Sequence, residues 1–107
     1  MQCKKERNPM TQLIVLGTRR PDSDDAYGAY VGVAGPLLFG AGGSVTGQYA
    51  ATDQLAGTDG PQVMLVMDFP DEASIRGVFD SPEYVAAIPD RDAAFESIDV
   101  LVAESAG

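Results

Sequence analysis

At 107 residues the chain has the length of one domain, enough to bury a core without a metal or disulfide staple, and 45% hydrophobic residues exclude wholesale disorder. The net charge is −9, and from Met10 onward four arginines face every acidic residue except Glu6. Such a body repels phosphate backbones and anionic membranes, so neither nucleic acid nor membrane is a primary partner. No apolar run reaches the ~18–20 residues of a membrane helix.

Residues 1–9 (MQCKKERNP) are charged and lack the apolar stretch of a secretory signal, so they read as a disordered tail, a tag remnant or an upstream start. The expected single domain then runs from Met10 to Gly107. Cys3, the one cysteine, lies in that tail, which precludes an internal disulfide and fits a cytoplasmic setting.

Thr11–Leu16 (TQLIVL) has the pattern of a strand, ended by Gly17 and the polar turn Arg19-Arg20-Pro21. Asp22, Ser23, Asp24 and Asp25 follow with N-cap chemistry and negative charge at a helix start. Tyr27, Tyr30, Val31, Ala34, Leu37 and Leu38 then recur at three- and four-residue spacing, one apolar helical stripe. Gly28, Gly32 and Gly35 each cost about 1 kcal/mol relative to alanine, and Pro36 kinks the chain. Packing must therefore hold this helix, and the small residues imply close approach to another backbone. Gly40, Gly42 and Gly43 end it.

Ser44–Ala51 is a weaker strand, 52–61 a loop, and Gln62–Phe69 (QVMLVMDF) the strongest strand of the chain. Asp71 caps a helix burying Ile75, Val78 and Phe79. Ser81-Pro82 pairs an N-cap with proline at the first helical position and opens a short helix carrying Tyr84, Val85 and Ile88. Pro89 interrupts it, Asp90–Phe95 continue it bent, Ile98–Ala103 form the last strand, and Glu104–Gly107 a tail.

The order is β-α-β-β-α-β, an α+β, ferredoxin-like arrangement with a four-stranded antiparallel sheet. Leu13–Leu16, Val63–Met67 and Val100–Val102 are continuous apolar runs, which call for burial on both sheet faces. Two helices cover one face only. The other is expected to meet a second copy of the chain, giving a homodimer through the sheet faces.

The stretch Asp68-Phe69-Pro70, then Ser81-Pro82-Glu83-Tyr84, then Arg91 is the most specific in the sequence. With the Gly42-Gly43 pair and a tyrosine in the first helix (Tyr30 or Tyr27), it resembles domain-of-unknown-function family 1330 of the dimeric α+β barrel superfamily, from about Leu13 to Glu104. The resemblance implies ferredoxin-like protomers paired through their sheets, with a ligand or active site in a helix–sheet cleft. Its relatives span cofactor-independent monooxygenases, lactone isomerases and haem-degrading enzymes, so the fold implies no one chemistry. The chain departs from the pattern at Val78-Phe79, where the family often has a tyrosine or tryptophan.

Tyr30, Phe79, Ser81, Tyr84 and Arg91 are the candidate ligand-binding residues, with Asp68, Tyr84 and Arg91 as catalytic candidates. A guanidinium suits a carboxylate or enolate, and seven residues along a continuous helix put Tyr84 and Arg91 on one face. The competing structural use of Arg91 is an ion pair with Asp68 or another acid that pins helix to sheet. Asp68 ends an apolar strand, where partial burial would suit a general base. Ser81 reads as a cap, and as a nucleophile it would lack a base, since the chain has no histidine. Tyr27, Tyr30, Tyr49, Phe69, Phe79 and Phe95 could line a cleft or pack a core.

Without histidine, histidine-ligated haem and zinc are excluded, Asp22-x-Asp24-Asp25 lacks the glycine and distal glutamate of a calcium loop, and no metal or cofactor is expected. Gly40-Ala41-Gly42-Gly43 lies between helix and strand, the reverse of a dinucleotide loop. Three functions stay open: binding of a small anionic or aromatic molecule, a cofactor-independent oxygenase or isomerase acting on an activated carbonyl compound, and a structural homodimer whose cleft is filled by its own side chains.

Overall fold

The computed structural model describes residues 11–104, in the order β1 (Thr11–Arg19), α1 (Asp24–Gly40), β2 (Ser44–Ala50), β3 (Val63–Phe69), α2 (Glu72–Phe79), α3 (Pro82–Ala94) and β4 (Phe95–Ala103). The segment 1–9 with Cys3, and residues 105–107 of the expected C-terminal tail, lie outside the described residues. The strands lie in the order β2-β3-β1-β4, each neighbouring pair antiparallel. This is the ferredoxin-like arrangement, its second crossover divided into two helices at Ser81. Among the described residues, no helix is long and apolar enough to cross a membrane.

Side chains alternate across a strand, so every second residue of β1 and β3 faces the helices. Leu13, Met67 and Phe69 do so and are almost wholly buried against Ala34 and Leu38 of α1, Ile75 and Val78 of α2, and Tyr84 of α3. The other face carries the cross-strand row Leu101, Ile14, Val66 and, beside it, Leu16, Met64, Tyr49. Ile14, Leu16, Met64 and Val66 are only half-buried, and Leu101 and Tyr49 are 46% and 58% exposed. The sheet is thus apolar on both sides and roofed by helices on one.

Three local expectations need correction. Gly17 does not end the first strand. It is buried within β1, paired with both Val63 and Ile98, and a side-chain carbon there would stand 3.1 Å from two ring atoms of Phe95. Glycine makes room for that ring, and β1 runs on to Arg19 past a register shift after Thr18, where Glu96 is the extra residue on β4. Phe95 opens β4 rather than closing a helix, so the last strand starts three residues earlier than Ile98. Pro89 does not break α3. Val85, whose carbonyl loses its donor, is 52% exposed, so that carbonyl falls on the solvent side and the helix passes through.

The C-terminus of α1 shows why two consecutive glycines follow it. Gly42 has φ +99°, Gly43 N–H donates to Leu38 O (3.0 Å) and Gly42 N–H to Phe39 O (3.1 Å), a Schellman closure. A side chain at Gly43 would collide with the Phe69 ring. The glycines inside α1 behave differently: Gly28, Gly32 and Gly35 have nothing within 4 Å of where a side chain would begin, so the close backbone approach expected of them does not occur within the described chain.

In β2, Thr46 is an extra residue between Val45, opposite Met67, and Gly47, opposite Val66. Its hydroxyl donates to Val66 O at 3.1 Å. The bulge shifts the pairing of this edge strand midway along its length.

Candidate functional site

Beneath α1 lies a cleft of about 570 Å³, floored by the helix-facing side chains of β1 and β3 and bounded by β2. Val15, Leu65 and Met67 form its floor, and Val31, Ala34 and Leu38 of α1 its roof. Val31, Phe39 and Val45 line it while remaining more than 40% exposed. The lining is apolar, as is usual of a site for a small organic molecule.

Of the sequence candidates, Tyr30 and Phe79 line this cleft. Tyr84 and Arg91 stand behind that wall. The Tyr84 ring packs against Phe79, centroids 4.5 Å apart, and edge-on to Tyr30 at 5.9 Å. The Tyr30 and Tyr84 hydroxyls are 2.9 Å apart, and Arg91 Nη1 donates to the Tyr84 hydroxyl at 3.2 Å. The seven-residue spacing therefore does place Tyr84 and Arg91 on one face, because α3 is continuous. Burial pushes the Tyr30 phenol up, and the Arg91 charge opposes it. For Arg91, burial favours loss of the proton, but the bond to Tyr84 and the neighbouring Asp92 outweigh it and raise its pKa.

Ser81 is occupied in capping α3. Its hydroxyl accepts from Tyr84 N–H (3.2 Å) and donates to Val78 O (2.7 Å). The same serine thus fixes the first turn that aims Tyr84 at Tyr30.

Asp68 belongs elsewhere. Met67 and Phe69 on either side of it point into the core, so Asp68 projects from the opposite sheet face, where it accepts from Gln12 Nε2 at 3.2 Å. Arg91 pairs not with Asp68 but with another acid, Asp92 (3.3 Å), which lies on the same helix, so this pair does not pin helix to sheet. Asp68 is therefore remote from Tyr84 and Arg91 and supplies no base for an oxygenase or isomerase reaction beside them.

Two features escaped the sequence reading. Tyr27, Phe95, Tyr30, Tyr84 and Phe79 form a continuous aromatic row, its T-shaped contacts at 5.9–6.2 Å. Arg19 caps the far end, its guanidinium 4.0 Å over the Tyr27 ring and its Nη2 2.8 Å from Asp24. Placing the end of the first strand at Gly17 left Arg19 in a turn, and so hid this stack. Phe69, which shared the aromatic list, is wholly buried in the core instead.

The family model described as Domain of unknown function (DUF1330) matches residues 13–106. The chain belongs to the DUF1330 family. No curated protein matches its sequence. Among solved structures, a protein of unknown function from Rhodopseudomonas palustris is similar with a TM-score of 0.78 at 21% identity, covering 100% of this DUF1330 chain and 96% of that one. A dimeric protein of unknown function and ferredoxin-like fold from Bacteroides fragilis gives a TM-score of 0.56 at 17% identity, covering 90% and 96%. A dimeric ferredoxin-like protein of unknown function from Thermobifida fusca gives 0.56 at 14%, covering 92% and 93%. At these identities the likeness establishes the ferredoxin-like fold of the DUF1330 chain.

Proposed function

We propose that this DUF1330 protein is a homodimer, joined through the unroofed sheet faces, that binds a small apolar or aromatic molecule in the helix–sheet cleft of each protomer. The observation that carries the binding reading is the cleft itself: about 570 Å³, apolar walls, and the hydrogen-bonded Tyr84 and Arg91 behind Tyr30 and Phe79. Arg91 does not line it, so a ligand held mainly by a direct ion pair fits less well than an apolar one. Support for the dimer comes from the row Leu101, Ile14, Val66 and its neighbour Leu16, Met64, whose burial against a second copy would recover about 25 cal/mol per Å² of apolar surface. The dimeric descriptions of the Bacteroides fragilis and Thermobifida fusca proteins point the same way.

Native mass spectrometry of the purified protein, offered a mixture of bicyclic aromatic fragments, tests both halves. The expected result is a dimer that takes up one fragment per protomer. A monomer at micromolar concentration overturns the assembly, and a dimer that takes up no fragment overturns the cleft reading.

A further inference from the structure

The hydrogen-bond chain behind the cleft has a direction. A guanidinium only donates, so the Tyr84 oxygen accepts from Arg91 Nη1. Tyr84 is 2% exposed, and among the described residues its hydroxyl has one other partner, the Tyr30 oxygen at 2.9 Å. If Tyr30 donated to Tyr84, the Tyr84 proton would be buried without an acceptor, at a cost of about 1–3 kcal/mol. The satisfied arrangement is Arg91 N–H to Tyr84 oxygen, then Tyr84 O–H to Tyr30 oxygen. That leaves the Tyr30 proton without a protein acceptor among the described residues, on the one member of the chain that lines the cleft. Burial keeps the Tyr30 phenol protonated, so its O–H is available to a ligand as a donor.

We propose that the ligand of this cleft is a neutral aromatic or alicyclic carbonyl compound, its carbonyl oxygen accepting from Tyr30 O–H and its hydrocarbon body filling the apolar space beneath α1. This rests on the cleft being the binding site and adds the chemical class. A carboxylate is the poorer fit, since the net charge of −9 repels anions and Arg91 reaches the cleft only through two tyrosines. A ligand whose only polar group is a donor is the poorer match, because it leaves the Tyr30 proton without an acceptor.

The test compares 1-indanone with indane, which differ by one carbonyl oxygen, by calorimetric titration of the wild-type dimer and of Tyr30→Phe. Wild type should bind indanone at least ~5-fold more tightly, the net value of one hydrogen bond. In Tyr30→Phe indanone should fall to the indane level while indane is unchanged. The infrared carbonyl band of bound indanone should shift to lower frequency in wild type, a readout that survives even if the variant fails to fold. Equal binding of the two probes, an unshifted band, or discrimination retained in Tyr30→Phe overturns the carbonyl proposal and leaves the cleft reading standing. Binding of neither probe removes the cleft reading, and this proposal with it.

Discussion

Ser81 shows how one side chain serves both a helix and the site. Removing its hydroxyl in Ser81→Ala deprives Tyr84 N–H of its cap and Val78 O of one of its two donors, the other being Ser81 N–H, and the expected loss is about 1 kcal/mol in denaturant unfolding, with Ser81→Asp, which keeps the acceptor but not the donor, recovering part of it. An alanine variant as stable as wild type would mean that water takes over the cap. Asp71 caps α2 in the same way, and its bonds from the Ser74 hydroxyl and Ser74 N–H hold its carboxyl below the usual range. A group with a lowered folded pKa contributes stability above its unfolded value, about 4 for an aspartate, and loses it as pH falls through the folded one. Asp71→Asn should therefore show a shallower acid decline below about pH 4 than wild type, and parallel curves down to pH 2 would sink the linkage. Both caps were legible in the sequence, because capping is local. The Tyr84–Arg91 face was legible for the same reason, as a seven-residue helical spacing. The Tyr30–Tyr84 contact was not, since it depends on how α1 and α3 meet. The side of the sheet on which Asp68 lies was available from alternation alone, because Met67 and Phe69 bracket it with core residues.

At the scale of elements, the order of strands and helices follows from periodicity, and the misplacements sit where packing outweighs a local signal. Gly17 looks like punctuation, yet it serves the Phe95 ring that opens β4. Gly17→Ala should overpack this contact and cost about 1–3 kcal/mol in chemical denaturation. Combining it with Phe95→Leu should recover part of that loss, since the two positions share one space. Strict additivity would mean that the glycine is needed for something other than the ring. Pro89 is the reverse case: a strong breaker is tolerated because the carbonyl it abandons lies on the solvent side of α3. Arg20 ties the same region together, its N–H donating to Ala94 O (2.9 Å) and its side chain to Asp92 O (3.1 Å), which joins the β1–α1 turn to the end of α3.

For the whole molecule, the decisive property is a sheet that is apolar on two sides and roofed on one. Leu16 sits within the unroofed face, opposite Met64. If the proposed dimer forms through this face, Leu16→Glu should raise its dissociation constant by two orders of magnitude or more, because an unpaired carboxylate in an apolar interface costs about 3 kcal/mol or more. Light scattering across a dilution series reads this directly, and an unshifted dimer would place the interface elsewhere. Continuous apolar runs made this face visible in the sequence. The cleft under α1 was implied by the family resemblance but by no local pattern, because its walls come from six elements whose spacing no such pattern encodes. The bulge at Thr46 carries one further consequence. β2 is an edge strand, and a flat edge offers its free amides and carbonyls to any extended chain that drifts past. The additional residue breaks the even spacing that such a chain would have to match, so deleting Thr46 would straighten the strand and give the protein a route to fibres.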